Sequence, residues 1–236
     1  MINFPFSKNL KTEYKKNTPY PHIIIDDFFP DHILKEIYNE ISLNKNWHSD
    51  SVDWTQKHQI NKFYWPHDEI SARTLDKVLP RTHLFLKYLN SKDFISKLSE
   101  LTGIANLIGD EDFFGGGIHK INKDGKLDLH RDYNIHPTKK LYRRLNLLIY
   151  LNENWDENWG GNLELWDSNL TNCVKSVEPT FGRVVIFTIS DNAIHGHPKP
   201  LNCPENVSRY SLALYYFTEE NPRETNDHPV VFFDMV

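Results

Sequence analysis

Between Gly115 and Phe217 the chain is interrupted again and again by turn chemistry, at Lys123-Asp-Gly125, Asn158-Trp-Gly-Gly161, Pro179 to Gly182 and Pro198 to Pro204. Turns this close leave little room for helices, and the stretches between them are rich in β-branched and aromatic residues. They predict strands at Gly117 to Ile121, Leu127 to Tyr133, Leu145 to Asn152, Asn162 to Asp167, Val174 to Val177, Arg183 to Ile189 and Tyr210 to Phe217. That many short strands in so little chain argue for a β-sandwich or jelly roll.

The part before Gly115 reads differently. His22 to Phe28 predicts an edge strand, and Pro30-Asp31 starts a helix with Ile33, Leu34, Ile37 and Ile41 on one face. Further helices are expected from about Ile70 to Leu79, from Thr82 to Leu89 and from Ser91, an N-cap, to Leu101 before Gly103. Trp47 to Asp68 has weak periodicity and reads as a long loop or lid. With no linker dividing it, the chain is expected to be one domain over 1–236: helical support and lid to 114, a β core over 115–218, and a C-terminal tail over 219–236.

Composition narrows the chemistry. The 236 residues carry a net charge of −5, so a phosphate backbone is not the expected partner. No apolar run approaches the roughly 20 residues that span a bilayer, and the N-terminus lacks a continuous apolar signal segment. Two cysteines, Cys173 and Cys203, are too few for a disulfide framework or a thiolate zinc site, and a cytoplasmic location is expected. A metal would therefore be held by histidine and carboxylate.

His130-Arg131-Asp132 is the tripeptide to test, because residues two apart on a strand project from one face. A chain with twelve His and eighteen Asp in 236 residues carries about one His-x-Asp by chance; this one carries two, the other being His48-Ser-Asp50. What distinguishes the first is its sequel. His195 follows 65 residues later, and Arg209 opens an apolar strand fourteen residues beyond that, with Ser211 and Ala213 on its face. An arginine pointing into a barrel mouth is uncompensated until an anion pairs with it, and a guanidinium forks onto a carboxylate. His130-Arg-Asp132 also copies a kinase catalytic-loop tripeptide, but Pro137 stands where that loop needs asparagine, and no glycine-rich loop precedes it.

His130-x-Asp132, Leu145 to Asn152, Trp155, Gly160-Gly161-x-Leu163, His195 and Arg209-x-Ser211, in this order and spacing, resemble the iron(II)/2-oxoglutarate dioxygenase superfamily in its prolyl-4-hydroxylase-like branch. The resemblance covers Gly115 to Thr218, and Tyr20 to Pro30 is similar to the start of that fold. It implies a double-stranded β-helix (jelly roll) core, mainly β with α, behind an N-terminal helical layer. It also implies Fe(II) held by His130, Asp132 and His195. The distal carboxylate of 2-oxoglutarate would meet Arg209, with Ser211 and Tyr150 beside it. Asn146 and His119 are expected as further cosubstrate contacts, Lys120 being the alternative to His119. The implied reaction uses O2, with ascorbate as a reductant, releases succinate and carbon dioxide, and hydroxylates an unactivated C–H bond. A prolyl or other amino-acid side chain, free or peptidyl, is the implied substrate. Two alternatives stay open: His197 as the distal ligand in place of His195, and a non-catalytic cupin-like module that binds metal or ligand without turnover.

Overall fold

In the computed structural model, which describes residues 8–49, 57–66, 69–222 and 227–234, the strands form one continuous curled antiparallel sheet. The elements in chain order are α1 (Lys8–Lys16), β1 (His22–Ile25), α2 (Asp31–Ser42), β2 (Gln59–Trp65), α3 (Glu69–Arg73), α4 (Leu75–Val78), α5 (Pro80–Leu89), α6 (Lys92–Thr102) and β3 (Ile108–Gly109). Then come β4 (Gly117–Arg131), β5 (Tyr142–Tyr150), β6 (Leu163–Trp166), β7 (Cys173–Val177), β8 (Val184–Thr188), β9 (Ile194–His197), β10 (Arg209–Thr218) and β11 (Val231–Phe232). The strand order β1-β8-β5-β10-β4-β9-β6-β7 folds over on itself at β4, which belongs to both halves. Residues 117–121 of β4 pair with β10, whereas Leu127 and His130 pair with β9. This is the expected double-stranded β-helix.

The apolar run of β5 is explained by burial on both sides. Leu145, Leu147 and Ile149 face the helices, together with Val184 and Ile186 of β8 and Leu212 and Leu214 of β10. Tyr150, Val185 and Phe187 face the barrel interior. On the outer side, Leu34, Ile37 and Ile41 of α2 and Phe94, Leu98 and Leu101 of α6 fill the same cluster. Each fully buried side chain of this size stabilises the fold by about 1.5–3 kcal/mol. α6 has the ends its sequence predicts: the Ser91 hydroxyl accepts from the Phe94 amide, and Gly103 closes the helix in the left-handed region.

Several expectations are corrected. The segment Trp47 to Asp68 is not simply a loop, because Gln59–Trp65 forms β2 and pairs with β4 from Ile118 to Leu127. Residues 50–56 and 67–68 of it lie outside the described residues. Lys123-Asp-Gly125 does not separate two strands. It is an excursion inside β4, with Asp124 at φ 60°, while β2 pairs on either side of it. The helix expected from Ile70 to Leu79 is two short ones, and α5 begins at Pro80, whose fixed φ and missing N–H suit a first helical position. The helix α1 was not anticipated. The C-terminal stretch, read as a tail, supplies β11, which pairs with Arg131 and His130 of β4. Among the described residues, no helix is long and apolar enough to cross a membrane.

Candidate active site

β4 and β9 lie antiparallel with His130 directly opposite His195. Gly196 allows the approach, since a Cβ there would sit 2.7 Å from the Asp128 carbonyl oxygen. A register shift between Leu127 and His130 places one extra residue on β4, and this bulge turns His130 inward while Leu129 is fully buried. Asp132 follows just past the strand end. Its Oδ1 lies 3.6 Å from His130 Nε2 and its Oδ2 lies 3.5 Å from His195 Nε2. The ligand atoms of the three residues are all within 4.8 Å of one another, and all three side chains are buried. Both imidazoles are fixed in tautomer by the main chain: His130 Nδ1 donates to the Asp128 carbonyl at 2.9 Å and His195 Nδ1 to the Ala193 carbonyl at 3.0 Å. Each Nε2 therefore presents a lone pair to the cavity. Burial, and then the neighbouring His130, pull the His195 pKa down to about 4, so its ring is neutral at physiological pH.

Asp132 is steered by side chains. Its Oδ2 accepts from Asn146 Nδ2 at 2.8 Å and pairs with Arg143 Nη2 at 3.0 Å, while Asn146 Oδ1 accepts from Arg143 Nε and Nη2. Burial opposes ionisation of Asp132, but the Arg143 guanidinium and the two histidines outweigh it and hold the carboxyl well below its usual range. Arg143 lies against the rings of Tyr215 and Tyr133, its guanidinium carbon 3.4 Å and 4.5 Å from their centroids.

At the other end of the cavity stands Arg209, only 4% exposed. Its Nε donates to the Gly161 carbonyl at 2.8 Å, its guanidinium carbon lies 4.9 Å from the Tyr150 ring centroid, and among the described residues no carboxylate pairs with it. Gly161 is held at φ +76°, and a Cβ on it would come within 3.0 Å of Arg209 Cδ. The Tyr150 hydroxyl is buried without a hydrogen-bond partner. Burial lowers the pKa of Arg209 and raises that of Tyr150, each partly offset by the other. Ser211 follows Arg209 on the same face of β10, opposite Tyr150 on one side and His119 on the other. His119 Nε2 donates to the Gly115 carbonyl at 3.2 Å, and burial keeps its ring neutral.

His130, Asp132, His195, Asn146, His119, Arg209 and Ser211 line one cavity of about 390 Å³. Two imidazoles and a carboxylate form a donor set of the kind that holds Fe(II) on one face with positions left open. A buried guanidinium with no counter-charge and an orphaned hydroxyl beside it suit the far carboxylate of a short diacid. The residues present fit both groups.

Of the residues read from the sequence, His197 stands outside the three-residue cluster, and Lys120 points away from the cavity, over the Trp47 ring at 5.4 Å. In the second His-x-Asp, His48 forms a bridge to Tyr64 while Asp50 lies outside the described residues. Sequence reasoning missed Arg143, Tyr133, Tyr215 and Phe232. Arg143 turns inward because β5 carries an extra residue, Arg144, opposite the Tyr216–Phe217 step of β10. Alternation along the sequence cannot reveal such a bulge. Phe232 lies 5.5 Å from the His130 ring and stacks on His58 at 4.5 Å.

Comparison with known proteins places this geometry in context. Residues 116–217 match the model of the 2OG-Fe(II) oxygenase superfamily. Among curated proteins, the chain is 24% identical over 238 residues to a prolyl 3,4-dihydroxylase OGFOD1 of Ostreococcus tauri, covering 94% of this chain and 43% of that one. The chain thus spans less than half the length of the curated relatives it matches. Among solved structures, a prolyl hydroxylase from Trichoplax adhaerens in complex with a hypoxia inducible factor peptide fragment shares the fold. Its TM-score is 0.61 at 19% identity, over 89% of this chain and 90% of that one. HygX from Streptomyces hygroscopicus, with nickel and 2-oxoglutarate bound, gives 0.60 at 14% identity over 97% of both chains. The matched segment runs the length of the β core and contains His130, Asp132, His195 and Arg209, and over it the chain is similar to the 2OG-Fe(II) oxygenase superfamily.

Proposed function

We propose that the chain is an Fe(II)- and 2-oxoglutarate-dependent dioxygenase that hydroxylates an unactivated C–H bond, with release of succinate and carbon dioxide. The observation that carries the proposal is the pairing, in one cavity, of the His130/Asp132/His195 cluster with Arg209, a buried cation that no carboxylate among the described residues neutralises. Iron and 2-oxoglutarate, when bound, supply the oxidative chemistry. The protein's share is position and charge. His130 and His195 offer fixed Nε2 lone pairs, Arg143 and Asn146 aim the Asp132 carboxylate, and Arg209 with Tyr150 and Ser211 receives the distal carboxylate. Asn146 also faces the cavity, although its amide is already engaged with Asp132 and Arg143, and His119 faces it from β4. Buried walls such as Phe187, 4.8 Å from the His195 ring, keep bulk water from the reacting centre.

For the substrate, a prolyl or other amino-acid side chain, free or peptidyl, is the reading supported by the prolyl hydroxylase names of the relatives and neighbours. The aromatic wall of Tyr133, Tyr215 and Phe114 near the metal end suits an aliphatic ring or chain. The non-catalytic alternative is disfavoured by the family match.

The test incubates the purified protein with Fe(II), 2-oxoglutarate, ascorbate and air, and measures succinate. Free amino acids and proline-containing peptides are then screened by mass spectrometry for the gain of one oxygen. Succinate formation that vanishes in His130→Ala and in Arg209→Ala is expected. An iron-loaded protein that neither binds nor turns over 2-oxoglutarate would defeat the proposal.

A further inference from the structure

Four histidines line the cavity from β4 and β9, and they divide sharply in how they are satisfied. His119 commits Nε2 to the Gly115 carbonyl. His130 and His195 each commit Nδ1 to the carbonyl two residues earlier. His197 lies on the same face of the same strand as His195 and is only 4% exposed, yet neither of its ring nitrogens has a hydrogen-bond partner among the described residues. A buried imidazole left unsatisfied destabilises a fold, and such groups persist where a ligand completes them.

Its position indicates which ligand. His197 pairs with Leu127 of β4, between the His130 pairing and Ile121, the partner of Arg209. It therefore stands between the metal cluster and the guanidinium, and Arg209 is the charge that acts on it most strongly. Arg209 has already spent Nε on Gly161, which leaves its two terminal nitrogens; Tyr150 and Ser211 stand beside it, and the unsatisfied imidazole of His197 adds a further ring N–H at the same end of the cavity.

We propose that His197 is a cosubstrate-binding residue, whose ring N–H donates to the carboxylate of 2-oxoglutarate that Arg209 holds. This rests on the function proposed above, and it assigns His197 a role as a donor to the diacid instead of as a metal ligand.

The test compares wild type, His197→Leu and His197→Gln, each loaded with Ni(II) so that no turnover occurs. Titration calorimetry reads the affinity for Ni(II), for 2-oxoglutarate and for 2-oxobutyrate, which lacks the distal carboxylate; thermal melting reads the metal-free proteins. In His197→Leu, 2-oxoglutarate binding should weaken about tenfold to a hundredfold, the range for one lost hydrogen bond to a charged group. Affinity for Ni(II) and 2-oxobutyrate should stay within about twofold, within the scatter expected for a contact that is not made. The melting temperature should be equal or higher, because an apolar side chain replaces an orphaned polar one. His197→Gln, which keeps a donor, should recover part of the lost affinity.

Unchanged 2-oxoglutarate affinity in His197→Leu overturns the proposal, as does an equal loss for 2-oxobutyrate. A fall in Ni(II) affinity makes His197 a metal ligand, and a lower melting temperature makes it a structural residue; either outcome also overturns it. If wild type binds Ni(II) but no 2-oxoglutarate, the proposed function fails and takes this inference with it. If wild type binds 2-oxoglutarate and His197→Leu binds it equally, only the inference fails.

Discussion

Asn146 and Arg143 act on the proposed metal site through Asp132, and the arrangement makes specific demands on each side chain. Asn146 Nδ2 donates to the carboxylate while its Oδ1 receives two hydrogen bonds from Arg143, so one amide ties both groups together. Replacing it by Leu keeps the branched skeleton but frees the carboxylate to turn. Metal affinity, followed by Ni(II) or Fe(II) titration, should fall about tenfold to a hundredfold, as when an outer-shell partner of a ligand is removed. Arg209→Lys should weaken 2-oxoglutarate binding less than Arg209→Ala, since an ammonium keeps the charge but loses the fork; equal losses would mean that charge plays no part. Gly161→Ala combines an unfavourable φ with a Cβ 2.6 Å from Leu201 Cδ2 and 3.0 Å from Arg209 Cδ. It should cost about 1–3 kcal/mol of stability in denaturant melts and weaken 2-oxoglutarate binding as Arg209 is displaced. At this scale the sequence was informative about residue types and order: His130, Asp132, His195 and Arg209 are legible because motif spacing encodes them. Arg143 was not, because its inward direction depends on an extra residue in β5 that has no signature in the alternation of apolar and polar positions.

Among the elements, the segment after β3 and the connection between β4 and β5 are locked together by Asp110. Its carboxylate, 4% exposed, binds Lys139 and lies 3.4 Å from His136 Nε2. Burial opposes its ionisation, but His136, Lys139 and the Phe114 amide together depress its pKa below the ordinary carboxyl range. A carboxyl whose folded pKa is lowered stabilises the fold fully above its unfolded pKa, about 4, and loses that contribution as pH falls toward the folded value. The melting temperature of Asp110→Asn should therefore lie furthest below wild type near neutral pH, and the gap should narrow as pH drops below 4; a gap that widens in acid would contradict the assignment. β11 is the least anticipated element. Its Val230-Val-Phe-Phe233 run is strand-prone but short, and its place depends on an open edge of β4 far away in sequence, which local propensity cannot register. Phe232→Ala should lower stability by about 1–2 kcal/mol, less than for a fully buried phenylalanine because the ring is partly exposed. By contrast, α6 and the strands β5, β8 and β10 were legible because capping residues and long apolar runs declare themselves locally.

Over the whole molecule, one apolar cluster joins residues of α1, α2, α5 and α6 to the outer face of β5, β8 and β10, so the helices and the β core share their interior. Tyr216 of β10 adds a hydrogen bond to the Leu89 carbonyl at the end of α5, and Tyr14 of α1 bonds Thr188 of β8. We therefore expect one cooperative unfolding transition, and a fragment beginning at Gly103 should fail to fold; a soluble fragment with native near-ultraviolet dichroism would show that the β core stands alone. Metal and cosubstrate should together raise the melting temperature by mass action. Of the three proposed metal ligands, the two histidines take their tautomers from peptide carbonyls, at Asp128 and Ala193, and the carboxylate takes its orientation from the side chains of Asn146 and Arg143. Point mutations cannot delete a peptide carbonyl, but they can exchange an asparagine or an arginine. Descent with modification can therefore retune this centre through one leg only: divergence in metal affinity among descendants of this chain should track positions 143 and 146, while the imidazole legs are inherited unaltered for as long as the two strands keep their register.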